Sequence, residues 1–490
     1  MIKLVGAAAL LASAWACVGT PTVNGVAGVP PSPKAAWVPP PPARGRTVPD
    51  TTARRAAVPA DLQQRVNRLT LPELIDLGLR NNPSTRITWA NARAAAAAYG
   101  SARGGYYPTI DGDITGTRIK TVASQGRSAV TQSLLNPALN LSYLLLDFGG
   151  RSGTVGAARG ALLAANYTHN ATLQNVVLQI QTTYFQYIAN RALLRAQRTS
   201  VREAQTNLQA AEERRRVGVA TIADVLQART AASQVELAAE TTEGDLQTSR
   251  GALAVSLGLP ANLPYDIDST AEELPVSLLA DSVDALIARA VELRPDLAAA
   301  RAEYESSRSQ ISIARANRLP SLQLNGSTGL TYSTSFSNAR NNYAISLGLH
   351  IPLFAGFSRL YDQRQVTALA EAAQARTDAL GQQVVFQVFS SYHVFQTSAR
   401  RVATANNLMA SAQQSNQVAL GRYRAGVGSV LDLLSAQTAL ADARAQQVLA
   451  RLEWNTSLAQ LAHDAGVLDL KGGSSLRLEA DSVGESSTPR

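Results

Sequence analysis

Residues 217–226 read VGVATIADVL, and residues 425–434 read AGVGSVLDLL. Each stretch follows a long run, about 150–217 and 358–425, that contains no proline and almost no interior break. A glycine just past a helix end closes it by adopting a left-handed backbone, and Gly218 and Gly426 hold that place. Thr221 and Ser429 each stand three residues before an acid, Asp224 and Asp432. A hydroxyl and a carboxylate at that spacing open a helix by satisfying its free N–H groups. Arg214, Arg215 and Arg216, in the last turn before the first stretch, complement the negative end of a helix dipole. Both stretches therefore read as a tight turn between two helices.

The two turns belong to a larger duplication. Asp224 and Asp432 lie 208 positions apart (432 − 224 = 208). The same offset links Val176, Val177, Ile180, Tyr184 and Tyr187 with Val384, Val385, Val388, Tyr392 and Phe395. Upstream, Pro83 and Pro108 match Pro295 and Pro320 at equal spacing (108 − 83 = 25; 320 − 295 = 25), with an offset of 212 (295 − 83). The second copy is thus four residues shorter (212 − 208 = 4) in an interval that includes a hairpin loop, where length changes are tolerated most easily. A unit of about 200 residues is far too long for a solenoid repeat. The copies span 70–260 and 284–470, joined by a linker at 261–283.

Each copy changes period part-way. In the first, Ile110 and Ile114 alternate with Asp111, Asp113, Thr115 and Thr117, and Leu139, Leu141 and Tyr143 alternate with Asn140 and Ser142. In the second, Leu322, Leu324, Leu330 and Tyr332 face away from Gln323, Asn325, Ser327 and Thr331. Tyr343, Ile345, Leu347 and Leu349 likewise alternate with Ala344, Ser346, Gly348 and His350. These patterns predict strands over about 109–120, 138–148, 321–333 and 343–354. Their length and alternation suit strands that cross a membrane obliquely, although a half-buried soluble sheet alternates in the same way. Four strands leave open edges, which lipid forbids. Membrane strands here would have to be shared by several chains.

Helical hairpins are predicted at about 150–257 and 358–465. A helix of roughly 65 residues reaches on the order of 100 Å at 1.5 Å per residue. Aromatics are only 5% of the chain, as expected for long, closely packed helices. The net charge is +9, but the arginines are scattered and no aromatics interleave with the one run, so nucleic-acid binding is not expected. Lys3, the apolar run after it and Ala14-Trp15-Ala16 read as a signal peptide at 1–16. Cys17, the only cysteine, directly follows and resembles a lipidation site. Residues 17–69 form a Pro-rich tether, and the Gly/Ser-rich tail at 471–490 reads as disordered.

At this point the residues resemble a known family, the TolC-like outer-membrane efflux proteins. The resemblance covers roughly 70–470. It rests on the duplicated order of elements, on Leu293-Arg294-Pro295-Asp296-Leu297 followed by an Ala-rich helix to Leu319-Pro320, and on Arg422-Tyr423-Arg424-Ala425-Gly426 leading to Leu431-Asp432-Leu433-Leu434. It implies a mainly α fold with a small membrane β part. Three chains would share a twelve-stranded β-barrel and a twelve-helix periplasmic α-barrel. It also implies a passive exit duct for small molecules, working with a periplasmic adaptor and an inner-membrane pump in an outer membrane. Type I protein secretion is the alternative within the family, and an exported structural coiled-coil protein the alternative outside it. By the same resemblance, Asp432 falls in an acidic ring at the gate, with Ser435 where a second acid is usual. Asp224 and Tyr423 match a pair that links neighbouring coiled coils, while an arginine of that linkage falls on Gly428. Val217-Gly218-Val219 and Ala425-Gly426-Val427 match the tips that dock the adaptor.

No catalytic constellation, cofactor motif or metal site is expected. The four histidines are scattered, and no glycine-rich stretch has the strand before it or the Gly-Lys-Ser/Thr after it that a phosphate loop needs. A chain without a nucleotide site cannot power transport itself.

Overall fold

In a computed structural model the chain is described at residues 32–35, 69–120, 131–262, 282–334 and 339–468. The signal peptide, Cys17, nearly all of the tether, most of the linker and the tail lie outside the described residues. The elements run α1 (Leu71–Asn81), α2 (Pro83–Gly104), β1 (Thr109–Lys120), β2 (Thr131–Leu146), α3 (Gly150–Arg216) and α4 (Ile222–Ser256). The same order then repeats as α5 (Val283–Leu293), α6 (Pro295–Ala316), β3 (Ser321–Ser333), β4 (Arg340–His350), α7 (Ser358–Arg424) and α8 (Val430–Asp464). The chain divides into two compact units. One holds Asn91–Asn166 and Ala298–Ala379. The other holds Tyr167–Leu297 and the described parts of Pro30–Ala90 and Leu380–Arg490.

The first unit is built on one antiparallel sheet of order β1-β2-β3-β4. Its register puts Ile110 beside Leu141 and Leu324 beside Leu347 on one face. Asp111 beside Asn140 and Asn325 beside Ser346 lie on the other. Period-two side chains make that division automatic. Tyr343, Ile345, Leu347 and Leu349 are all exposed. Both edge strands, β1 and β4, leave one side of the backbone unpaired.

Two strand boundaries differ from expectation. β2 begins at Thr131, not near 138, and pairs residue by residue with β1 back to Lys120. Its polar start and Pro137 hide the alternation. The β2–β3 ladder skips Asn136 and Pro137, the position where a missing N–H costs least. Just beyond them, opposite Ala138, a side chain at Gly329 would come within 2.6 Å of the Pro137 carbonyl oxygen. β4 runs from Arg340 to His350 rather than 343 to 354. Beyond it Pro352 cannot donate to a ladder, and the chain turns at Gly356, whose φ is +59°. Ten residues separate β1 from β2 and six separate β3 from β4 (131 − 120 − 1 = 10; 340 − 333 − 1 = 6), so the four-residue difference between the copies falls in the hairpin connections.

In this unit α3 approaches α6 closely. A Cβ on Gly160 would sit 2.7 Å from the Ser306 backbone nitrogen; one on Gly153 would crowd Ile313 and the Ser309 carbonyl oxygen, and one on Gly156 the Ser309 side chain. The Ser306 hydroxyl donates to the Ala157 carbonyl at 2.8 Å.

The second unit contains the main core, where both copies meet. Leu74, Ile75, Val177, Ile180, Tyr184 and Leu253 from the first pack with Leu286, Val388, Phe395 and Leu461 from the second. A repeated clasp closes each half. The residue before proline avoids the helical region, so Asn82 and Arg294 break α1 from α2 and α5 from α6. The Asn82 side-chain amide donates to the Ser256 carbonyl at 3.1 Å, and Arg294 donates to the equivalent Asp464 carbonyl at 3.5 Å. Arg294 is buried and ion-pairs with Asp296 at 2.6 Å. Burial works to raise Asp296, but the hydrogen bonds and charge of Arg294 outweigh it and leave the acid below its usual range. Ser32–Ala35 lies on the same unit. Lys34 pairs with Asp76 at 3.2 Å, and the buried His169 contacts the Ala35 carbonyl.

Candidate functional site

The turns expected at 217–226 and 425–434 lie in the second unit and share one construction. Val219 N–H donates to the Arg214 carbonyl at 2.9 Å and Gly218 N–H to Arg215 at 3.0 Å; Val427 and Gly426 bond Arg422 and Tyr423 likewise. This is the left-handed helix stop, with φ +81° at Gly218 and +76° at Gly426. Both acids then cap the returning helix. Asp224 accepts from the Thr221 backbone N–H at 2.8 Å, and the Thr221 hydroxyl accepts from the Asp224 N–H at 3.2 Å. Ser429 and Asp432 repeat the exchange at 3.3 and 3.1 Å.

The two acids differ in setting. Asp224 is half-buried, whereas Asp432 is exposed. The Ser429 hydroxyl and N–H bond the Asp432 carboxylate and, with the charge of Arg422, hold it below the usual carboxylate range. Tyr423 is buried and does not meet Asp224 within the chain. Its partner is Arg214, whose guanidinium carbon lies 4.2 Å from the ring centroid. Arg214 also donates to the Tyr423 carbonyl at 3.0 Å. A cation over a ring face is attracted by the ring quadrupole, so the contact ties α3 of one copy to α7 of the other. No local spacing signals this contact, because its partners are 209 positions apart in the chain and belong to different copies. Gly428 lies against Arg422, whose Cβ would be 3.0 Å from any Cβ placed there.

Val217, Val219 and Val427 are strongly exposed at the turns. A groove of about 720 Å³ lies between α4 and α8, lined by Leu226, Gln227, Leu431 and Ser435. Asp442, ten residues beyond Asp432 along α8 (442 − 432 = 10), also lines it, and no sequence motif singles this acid out. Among the described residues no group of acids, cysteines and histidines could hold a metal ion, and no helix is long and apolar enough to cross a membrane.

The outer membrane efflux protein model matches this chain twice, at residues 74–259 and 286–467. The chain belongs to the outer membrane efflux protein family. The double match coincides with the duplicated order of elements, and the family places this protein in the outer membrane among TolC-like channel proteins. Among its relatives, Protein CyaE of Bordetella pertussis is 27% identical over 84% of this chain and 86% of its own length. The pyoverdine export outer membrane protein OpmQ of Pseudomonas putida is 26% identical over 93% of each. The fold matches a crystallised membrane protein from Pseudomonas aeruginosa with a TM-score of 0.75, covering 85% of this chain and 99% of that one at 24% identity.

Proposed function

We propose that three copies of this chain form the exit duct of a tripartite efflux system, a passive conduit for small molecules across the periplasm and outer membrane. The observation that carries this reading is the open four-stranded sheet, apolar on one face and polar on the other, with both edges unpaired. Lipid does not tolerate such edges, and pairing β4 of one copy with β1 of the next closes a ring of twelve strands. The polar faces then line a wet lumen. The efflux family match and the export role in the name of its Pseudomonas putida relative support a small-molecule cargo. An adaptor at the Val217–Val219 and Ala425–Val427 tips and an inner-membrane pump complete the system. Purified protein should run as a heat-sensitive trimer and conduct ions in planar bilayers. A stable monomer that forms no channel would overturn the proposal.

The turns form the gate in this reading. Three copies bring three Asp432 carboxylates to one level, each ionised and fixed by its cap. Asp224 and Tyr423 hold neighbouring hairpins closed. Asp432→Asn retains most of the cap but not the charge, so it should raise single-channel conductance and reduce block by divalent cations. An unchanged conductance and unchanged block remove Asp432 from the gate.

A further inference from the structure

The sheet carries a departure from its own duplication. On the apolar face, β3 presents Leu330 and Tyr332 near its hairpin end. The equivalent places on β1, by the offset of 212, are Arg118 and Lys120 (330 − 212 = 118; 332 − 212 = 120). Both share their face with Ile110 and Ile114, and both are exposed. Neither makes an ion pair among the described residues. Their cross-strand partners are Ser133 and Thr131. Two cations about 7 Å apart along one strand and two hydroxyls therefore occupy one corner of the face. No carboxylate shares that face, since Asp111 and Asp113 point to the other side.

The second copy shows that the fold accepts apolar side chains in this row, so two cations there need a partner of their own. A cation on the lipid face is least costly near the interface, and it gains most where the headgroups are anionic. We infer that Arg118 and Lys120, with Ser133 and Thr131, form a docking surface for the phosphate groups of a phosphorylated outer-leaflet lipid. Guanidinium and ammonium groups donate to phosphate oxygens in charge-assisted hydrogen bonds, and the hydroxyls add further donors. This rests on the reading above, in which the sheet spans the membrane with its hairpin ends outward. One such corner per copy gives three around the barrel, each beside a junction between chains, where a bound lipid would brace the seam.

The test uses the full-length trimer in dodecyl maltoside, a detergent without phosphate. Diphosphoryl lipid A and its dephosphorylated form are titrated while thermal dissociation of the trimer is followed. Diphosphoryl lipid A should stabilise the wild type and the dephosphorylated form should not. The double variant Arg118→Gln, Lys120→Gln should bind it roughly thirtyfold more weakly, the worth of two cations at an anionic lipid surface. Equal stabilisation by the two lipids, or of the two proteins, overturns the docking surface. Comparing the lipids on the wild type needs no variant, so it stands even if the variant fails to fold. Channel conductance of the wild type in bilayers is the separate arm. Its loss overturns the duct and this surface together, whereas conductance without phosphate-dependent stabilisation overturns the surface alone.

Discussion

His169 is buried between two fixed partners. The Ala35 carbonyl can only accept, so Nε2 carries the proton at 3.1 Å, and Nδ1 accepts from the Thr88 hydroxyl at 2.9 Å. Burial, the dominant cause, lowers its pKa below 6.5 despite the opposing hydrogen bond to Ala35. The unfolded chain therefore binds this proton first. Stability is complete above 6.5 and declines as pH falls through the lowered folded value. The melting temperature should thus drop between about pH 7 and pH 5, and His169→Gln should flatten part of that drop; parallel melting curves would show that His169 does not contribute. At the turns, spacing alone made the capping acids and closing glycines legible, because both act within a few residues. The Arg214–Tyr423 contact was not legible, since its partners come from different copies and meet only after folding. Arg214→Ala should free Tyr423 and quench the coupling between the two hairpins. A double-mutant cycle with Tyr423→Ala should return about 0.5–2 kcal/mol of interaction in trimer stability, and additive effects would mean the stack contributes nothing.

At the level of elements, β3 is readable through its whole length and β1 as far as Thr117, because alternation runs that far; beyond it Arg118 and Lys120 take the apolar face and Ile119 the other. β2 is readable only in its second half, since Pro137 and the polar residues before it imitate a loop. What keeps that segment in the sheet is its partner, paired from Thr109 to Lys120. Gly329 has a similar dependence on a neighbour, because the Pro137 carbonyl occupies the space a side chain would need. The α3–α6 contact follows the same logic without any periodic signal. Gly160 touches backbone atoms of Ser306, which cannot rotate away. Gly160→Val should destabilise the fold by about 1–3 kcal/mol, the usual cost of overpacking, whereas Gly244→Ala, where no atom stands within 4 Å, should not. Thermal melts of the two variants check this; similar melting temperatures would mean that α3 and α6 adjust their separation freely.

For the whole molecule, the duplication was visible in the sequence as two offsets, and the structure locates their difference in the two hairpin connections. The clasps at Asn82 and Arg294 show that equivalent places keep a task while changing chemistry, an amide in one copy and an ion-paired guanidinium in the other. The unpaired edges of β1 and β4 have a genetic consequence. If every chain needs two neighbours to complete it, one defective subunit spoils the assembly it joins. Ile345→Pro, in edge strand β4, should therefore be dominant rather than recessive. Cells making both chains should contain far fewer heat-sensitive trimers than cells making the intact chain at half its normal level. Damage to a self-contained barrel would have no such reach.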